Sequence, residues 1–111
     1  MKIDSDLMRG VTPSVILNLL KARKMYGYEM IKVVNERTNN VFQWKEGSLY
    51  PCLHKLESSK LIQSEWLTAA NGKRRKYYSL TSNGLEVLDA KKAELNLFLH
   101  SVNTLFENAL I

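Results

Sequence analysis

The chain has 111 residues, of which 45% are hydrophobic and 24% charged, and it contains a single cysteine. This length suits one domain with an appended element, and one cysteine excludes an internal disulfide, which fits a reducing cytoplasm. No run of about 18 apolar residues is present, so we expect no membrane span. The first ten residues also lack the apolar stretch of a signal peptide.

The net charge of +5 is unevenly distributed. Residues 1–80 carry 14 Lys and Arg against 7 Asp and Glu, whereas residues 81–111 carry 2 against 4. A basic body with a mildly acidic tail favours a polyanionic partner for the body. A solvated basic surface explains the charge equally well, so motifs have to decide.

The first 45 residues predict a helical turn, two helices and a short strand. The turn covers residues 5–10, and Thr12 is the expected N-cap of the first helix, with Pro13 at its first helical position. The second helix is expected over residues 25–40, and the stretch 41–45 is strand-like.

A third helix is expected to begin at Gly47 and Ser48, with Pro51 in its first turn, where a missing N–H is tolerated. One face of this helix is apolar and is expected to be buried, with Leu49, Cys52, Leu53 and Leu56. The opposite face is expected to be exposed, with Ser48, Tyr50, Pro51, His54 and Lys55.

Residues 61–81 predict a β-hairpin, because Asn71 and Gly72 form a strong turn signal between two alternating strands. The hairpin is expected to place Ile62, Tyr78 and Leu80 in the core. Its tip carries four consecutive basic residues, which are expected to contact phosphates: Lys73, Arg74, Arg75 and Lys76.

A long helix closes the chain, with Thr81 as its expected N-cap. Its apolar stripe contains Leu85, Leu88, Leu95, Leu99, Val102, Phe106 and Ala109, and it is widened by Phe98, Leu105 and Leu110. A wide apolar face of about eight turns is more than an 80-residue body can cover, which favours dimerisation through this helix. A helix folded back onto its own domain is the alternative.

This order of elements predicts a mainly α fold with a small β-hairpin (α+β). We expect a winged helix-turn-helix over residues 1–80 and a dimerisation helix over residues 81–111. In that geometry the exposed face of the third helix, with the five side chains from Ser48 to Lys55 named above, enters the major groove of double-stranded DNA, and the hairpin contacts phosphates. A winged helix that binds a protein instead of DNA is the alternative.

An enzyme is not indicated. The two histidines, His54 and His100, fall on different helices without a ligand cluster, and no phosphate-binding loop or nucleophile motif occurs. We therefore expect no catalytic residue, no metal and no cofactor.

Three stretches, YGYEMIKVV, EGSLYPCLHKLESSKLIQSEW and GKRRKYYSLTSNG, resemble the PadR family of bacterial transcriptional regulators. The short C-terminal part is similar to its small subfamily, which ends in one dimerisation helix. The resemblance implies a homodimeric repressor that binds an inverted repeat near a promoter. By matching positions, Ser48, Tyr50 and Lys55 fall on the recognition helix, and Arg75 and Lys76 fall on the wing.

Two positions depart from the family pattern, and one implied property concerns a ligand. Family members often carry His where Tyr26 stands and Gly where Lys60 stands, so Lys60 is expected in a left-handed conformation. The resemblance also implies a small hydrophobic or aromatic effector bound between the subunits. Apolar surface for it is expected from Trp66, Leu95, Phe98 and Leu99, although a filled dimer core is the alternative.

Overall fold

The computed structural model describes residues 1–107 and 110, and this part of the chain forms five helices and one three-stranded antiparallel sheet with strand order β1-β3-β2. The predicted order of a helical body, a hairpin and a long C-terminal helix is confirmed. No helix in the described part is long and apolar enough to cross a membrane. The elements are α1 (Ser5–Arg9), α2 (Thr12–Ala22), β1 (Met25–Tyr26), α3 (Gly27–Arg37), α4 (Glu46–Ser58), β2 (Ile62–Thr68), β3 (Arg74–Leu80) and α5 (Ser82–Glu107).

One hydrophobic core lies between α2, α3, α4, the sheet and the start of α5. Of the three core residues expected in the hairpin, Ile62 and Tyr78 are buried, and Leu80 packs against the core while partly exposed. The buried side chains are Ile16, Leu17, Leu19, Leu20, Met25, Met30, Val34, Trp44, Leu49, Leu53, Leu56, Ile62, Tyr78 and Leu88.

The short strand lies at Met25–Tyr26, so its predicted position at residues 41–45 is wrong. Met25 and Tyr26 pair with Tyr78 and Tyr77 of β3. At residue 44, the Trp44 N–H donates to Asn35 Oδ1 at 2.8 Å, and Asn35 Nδ2 donates to the Trp44 carbonyl at 3.1 Å. Because a side chain satisfies both backbone groups, this segment needs no neighbouring strand.

Helix α4 begins at Glu46, so Pro51 is its sixth residue and does not belong to the first turn as expected. The N–H groups of Ser48 and Leu49 both donate to the carbonyl of Lys45, at 3.2 and 3.0 Å. Pro51 has no N–H for the carbonyl of Gly47 four residues earlier. Gly47 is exposed, so water can satisfy that carbonyl and the helix continues through the proline.

The two expected N-caps have different outcomes. Thr12 is the first residue of α2 and not its cap, because its hydroxyl donates to the Met8 carbonyl at 3.0 Å. Thr81 does cap α5: the Gly84 N–H donates to Thr81 Oγ1 at 3.0 Å. A Cβ at Gly84 would lie 2.0 Å from the carbonyl oxygen of Leu61, so α5 starts in direct contact with the α4–β2 connection.

The predicted left-handed conformation of Lys60 is confirmed, with φ of 62°. The Lys60 N–H donates to the Glu57 carbonyl at 2.9 Å, and the Leu61 N–H donates to the Leu56 carbonyl at 3.0 Å. These two bonds form a Schellman motif, in which glycine is the residue that fits the left-handed position without strain. The end of α4 is therefore well defined but strained at one residue.

We expect Lys60→Gly to stabilise the fold by about 1 kcal/mol, because it removes the steric cost of a left-handed side chain. The thermal midpoint should rise by about 3–8 °C. Lys60→Ala is the matched control, since it removes the same charge but keeps Cβ and the strain. The measurement is thermal unfolding of both variants. Equal midpoints for Lys60→Gly and Lys60→Ala would contradict this explanation.

Candidate nucleic-acid interface

The outward face of α4 is held in a defined orientation by the opposite face. Leu49, Leu53 and Leu56 are buried in the core, which fixes the rotation of the helix about its axis. Four of the five side chains expected to contact DNA are exposed, as predicted: Ser48, Pro51, His54 and Lys55. A helix fixed in this way presents its exposed side chains at defined positions to a groove.

Tyr50 differs from the other four because it is partly buried. Its ring lies over Gly27, where an added Cβ would be 2.7 Å from the Tyr50 hydroxyl oxygen. Burial, and then the Glu46 carboxylate, raise the pKa of this hydroxyl, and Arg75 partly opposes them. Tyr50 therefore stays a neutral phenol that joins α4 to the start of α3.

The four basic residues of the hairpin do not all lie at its tip. Lys73 closes the turn, in which its carbonyl accepts the Ala69 N–H at 2.7 Å, and the next three residues belong to β3. Lys73 and Arg74 are exposed, whereas Arg75 and Lys76 are partly buried. The expectation that all four occupy a free tip is therefore wrong for the inner pair.

The inner pair makes contacts within the chain. Arg75 Cζ lies 4.4 Å from the centre of the Tyr26 ring, which in turn meets Tyr77 edge-on at 5.4 Å between ring centres. Lys76 Nζ lies 3.7 Å from Glu57 Oε1 and 5.7 Å from the centre of the Tyr78 ring. Arg75 thus connects the wing, which is the β2–β3 hairpin, to β1, and Lys76 connects it to α4.

Sequence reasoning did not assign a role to Glu57. The carboxylate accepts a hydrogen bond from the Ser64 hydroxyl of β2 and forms an ion pair with Lys76 of β3. A signal was available: an acidic residue in the last turn of a helix is disfavoured by the helix dipole. Its position there indicates a tertiary contact.

Helix α4 and the β2–β3 hairpin enclose a groove of about 370 Å³ with a basic and aromatic lining. Tyr28 and Trp66 are exposed within it, at 55% and 58%. The lining residues are Tyr26, Gly27, Tyr28, Tyr50, His54, Trp66, Arg74, Arg75, Lys76 and Tyr78. This combination of cations and aromatic faces is suited to a phosphate backbone with adjacent sugars and bases.

The apolar stripe of α5 is largely uncovered. Exposed fractions are 38% at Leu85, 50% at Leu99 and 84% at Phe106, while Leu95 and Val102 are partly buried. The expectation that Leu88 contacts a partner is wrong, because Leu88 is fully buried in the core of its own chain. Ala109, the last residue of the expected stripe, lies outside the described residues.

The expected effector surface is not brought together within the chain. Trp66 lies in the groove beside α4. The other residues expected at the effector surface are on α5, and none of them lines that groove: Leu95, Phe98 and Leu99. Within the described residues, a larger cavity of about 840 Å³ lies between α1, α2 and α4, where its lining includes Met8, Trp44, Ser48 and Cys52.

Trp44 lines this larger cavity, and its indole N–H is buried and has no acceptor among the described residues. Burial raises the pKa of the Cys52 thiol, and Lys55 partly opposes this, so the group remains a neutral thiol. The described part of the chain contains no cluster of three or more metal-ligating side chains.

Residues 16–90 match the Transcriptional regulator PadR-like family. The chain belongs to this family. An uncharacterized protein from Lysinibacillus sphaericus is 40% identical over 82 residues, or 74% of this chain and 75% of that protein. PadR-like proteins are transcriptional regulators and not enzymes, so the sequence-based expectation on this point is confirmed.

Solved structures agree with the PadR assignment over most of the chain. A transcriptional regulator from Clostridium thermocellum has 32% identity and a TM-score of 0.83, covering 92% of this chain and 96% of its own. A PadR-like transcriptional regulator from Bacillus cereus has 32% identity and a TM-score of 0.81, covering 92% and 97%. The winged-helix fold and the PadR resemblance predicted from the sequence are thereby confirmed.

Proposed function

We propose that this PadR-like regulator is a homodimeric repressor that binds an inverted repeat in double-stranded DNA. The observation that carries the proposal is the exposed face of α4, fixed from behind by three buried leucines and flanked by a basic wing. Ser48 and Lys55 project toward base edges, and Lys73 and Arg74 toward phosphates. The first pair supplies specificity and the second pair supplies affinity.

A second copy of the chain is the partner that best fits the uncovered face of α5. The apolar face continues to the end of the described helix, where Leu105 is 59% exposed, and the molecule is 60 Å long but only 21 Å in its shortest dimension. Two such helices packed about a twofold axis would cover each other's stripes. The same axis would place two copies of α4 on successive half-sites.

Leu99→Asp should convert the dimer into monomers and abolish tight DNA binding. Leu99 lies in the middle of the uncovered stripe, and a carboxylate buried there without a partner costs several kcal/mol. Asn96→Asp is the matched control, because it adds the same charge to an exposed polar position of the same helix. Sedimentation that shows Leu99→Asp as a dimer of wild-type stability would place the interface elsewhere.

The recognition helix and the wing should respond differently to mutation. Lys73→Ala/Arg74→Ala should weaken binding to all duplexes and reduce the salt dependence by up to about 0.9 per lost phosphate contact. Ser48→Ala/Lys55→Ala should weaken a selected operator more than a scrambled duplex, by about 1–3 kcal/mol for each lost base contact.

Both double variants are measured at several salt concentrations on the same two duplexes. Equal losses from Ser48→Ala/Lys55→Ala on both duplexes would mean that α4 contacts only the backbone, and specificity would then come from DNA shape. A wild-type protein without salt-dependent binding to any duplex would instead favour a winged helix that binds another protein.

We also propose that an aromatic carboxylate acts as effector and occupies the cavity between α1, α2 and α4. Its volume of about 840 Å³ lies within the range of small-molecule sites. Trp44 lines the cavity with aromatic surface, and Lys45 and Lys55 in the same lining supply positive charge. Because Ser48 and Lys55 line the same cavity, a ligand there would alter the DNA-contacting face directly.

Titration with a panel of aromatic carboxylates should quench tryptophan fluorescence and release the operator. The chain has two tryptophans, so Trp44→Phe should remove the fluorescence change, and Trp66→Phe, the matched control, should keep it. The opposite pattern would move the ligand to the groove beside the wing. No response to any compound would reject the effector while leaving DNA binding untouched.

A further inference from the structure

The contact between Glu57 and the wing contributes little to fold stability. Glu57 and Lys76 have side chains that are 32% and 35% exposed, and their charged atoms are 3.7 Å apart. Ion pairs this accessible to solvent contribute on the order of 0–1 kcal/mol. An acid in the last turn of α4 also interacts unfavourably with the helix dipole. Stability alone therefore gives a weak reason for a glutamate here.

The geometry of the contact is more informative than its energy. The two oxygens of one carboxylate contact two different strands, with Ser64 of β2 on one oxygen and Lys76 of β3 on the other. One side chain of α4 thus fixes both strands of the hairpin. This limits how far the wing can tilt away from the recognition helix.

A second contact acts on the same strand from the opposite face of the sheet. Arg75 covers the ring of Tyr26, the residue directly before α3, and Gly27 supports the Tyr50 ring of α4. Neighbouring residues of β3 point to opposite faces of the sheet, so Arg75 and Lys76 hold the wing from both sides. The outer cations, Lys73 and Arg74, remain exposed.

We infer that Glu57 is a positioning residue that sets the angle between wing and recognition helix and thereby determines the sequence specificity of DNA binding. This inference rests on the proposed DNA-binding function. A carboxylate beside a DNA-binding surface repels phosphates. If Glu57 acted only through its charge, its removal would strengthen binding to every duplex. A positioning role requires weaker binding to the operator alone, and the two explanations predict opposite signs.

The experiment compares Glu57→Ala and Glu57→Gln with Glu46→Gln in the full-length protein, on an operator selected with the wild type and on a scrambled duplex. Glu46 is the matched control because it is an exposed acid of the same helix without a bond to the wing. Glu46→Gln should strengthen binding to both duplexes equally. Glu57→Ala should bind the scrambled duplex at least as tightly as wild type, yet lower the operator-to-scrambled ratio about tenfold.

Two further variants separate positioning from a general loss of structure. Glu57→Gln keeps an oxygen that can accept the Ser64 bond, so its ratio should lie between those of wild type and Glu57→Ala. Lys76→Ala should lower the ratio as Glu57→Ala does, and combining the two should add little. Should Glu57→Ala fail to fold, Glu57→Gln and Lys76→Ala still decide the question.

An unchanged ratio in Glu57→Gln and Lys76→Ala, or equal losses on both duplexes, would overturn the inference. Failure of the proposed function looks different, because the wild type itself would then select no operator. The salt dependence provides an independent readout. It should not fall below the wild-type value in the Glu57 variants, since no phosphate contact is lost.

Discussion

The structure depends on the burial of one face of α4. Leu49, Leu53 and Leu56 insert into the core formed by α2, α3 and the sheet, and the position of every exposed side chain of α4 follows from that packing. Burying three leucines contributes on the order of 5–9 kcal/mol, which is comparable to the whole stability of a small domain. The helix that we propose contacts DNA is therefore also a main structural element, and its exposed face is rigid for that reason.

The remaining contacts connect other elements to this helix. Glu57, at the C-terminal end of α4, holds the hairpin, and Tyr50 packs on the start of α3. Just after α4 ends, the hydroxyl of Thr81 donates to the Lys60 carbonyl at 2.8 Å. The wing, the core and α5 all meet α4 or the residues next to it. The effector that we propose for the cavity beside Ser48 would act on the same element and would thereby be coupled to DNA binding.

Sequence reasoning succeeded where a feature is local. Helical spacing gave the two faces of α4, the Asn71–Gly72 turn gave the hairpin, and the family's glycine position predicted the left-handed Lys60. It failed where the partner is distant in the chain. A two-residue strand such as β1 has no periodicity, and it exists because β3, more than 45 residues later, offers a free edge.

The basic run of the wing shows the same limit. Four consecutive cations look equivalent in the sequence, but alternation along β3 directs Arg75 to the Tyr26 ring and Lys76 to Glu57. Only Lys73, in the turn, and Arg74, at the start of β3, stay exposed. Leu88 shares the spacing of the uncovered stripe and is nevertheless buried, because α5 packs on α2 over its first turns.

The most direct test of this account is the selection of binding sites from random duplexes by the wild-type protein. If two copies of α4 contact successive half-sites, the selected duplexes should share a twofold-symmetric motif whose half-site centres lie about one helical turn, ~10 base pairs, apart or a multiple of it. Selection that enriches a single asymmetric site, or no site at all, would contradict it.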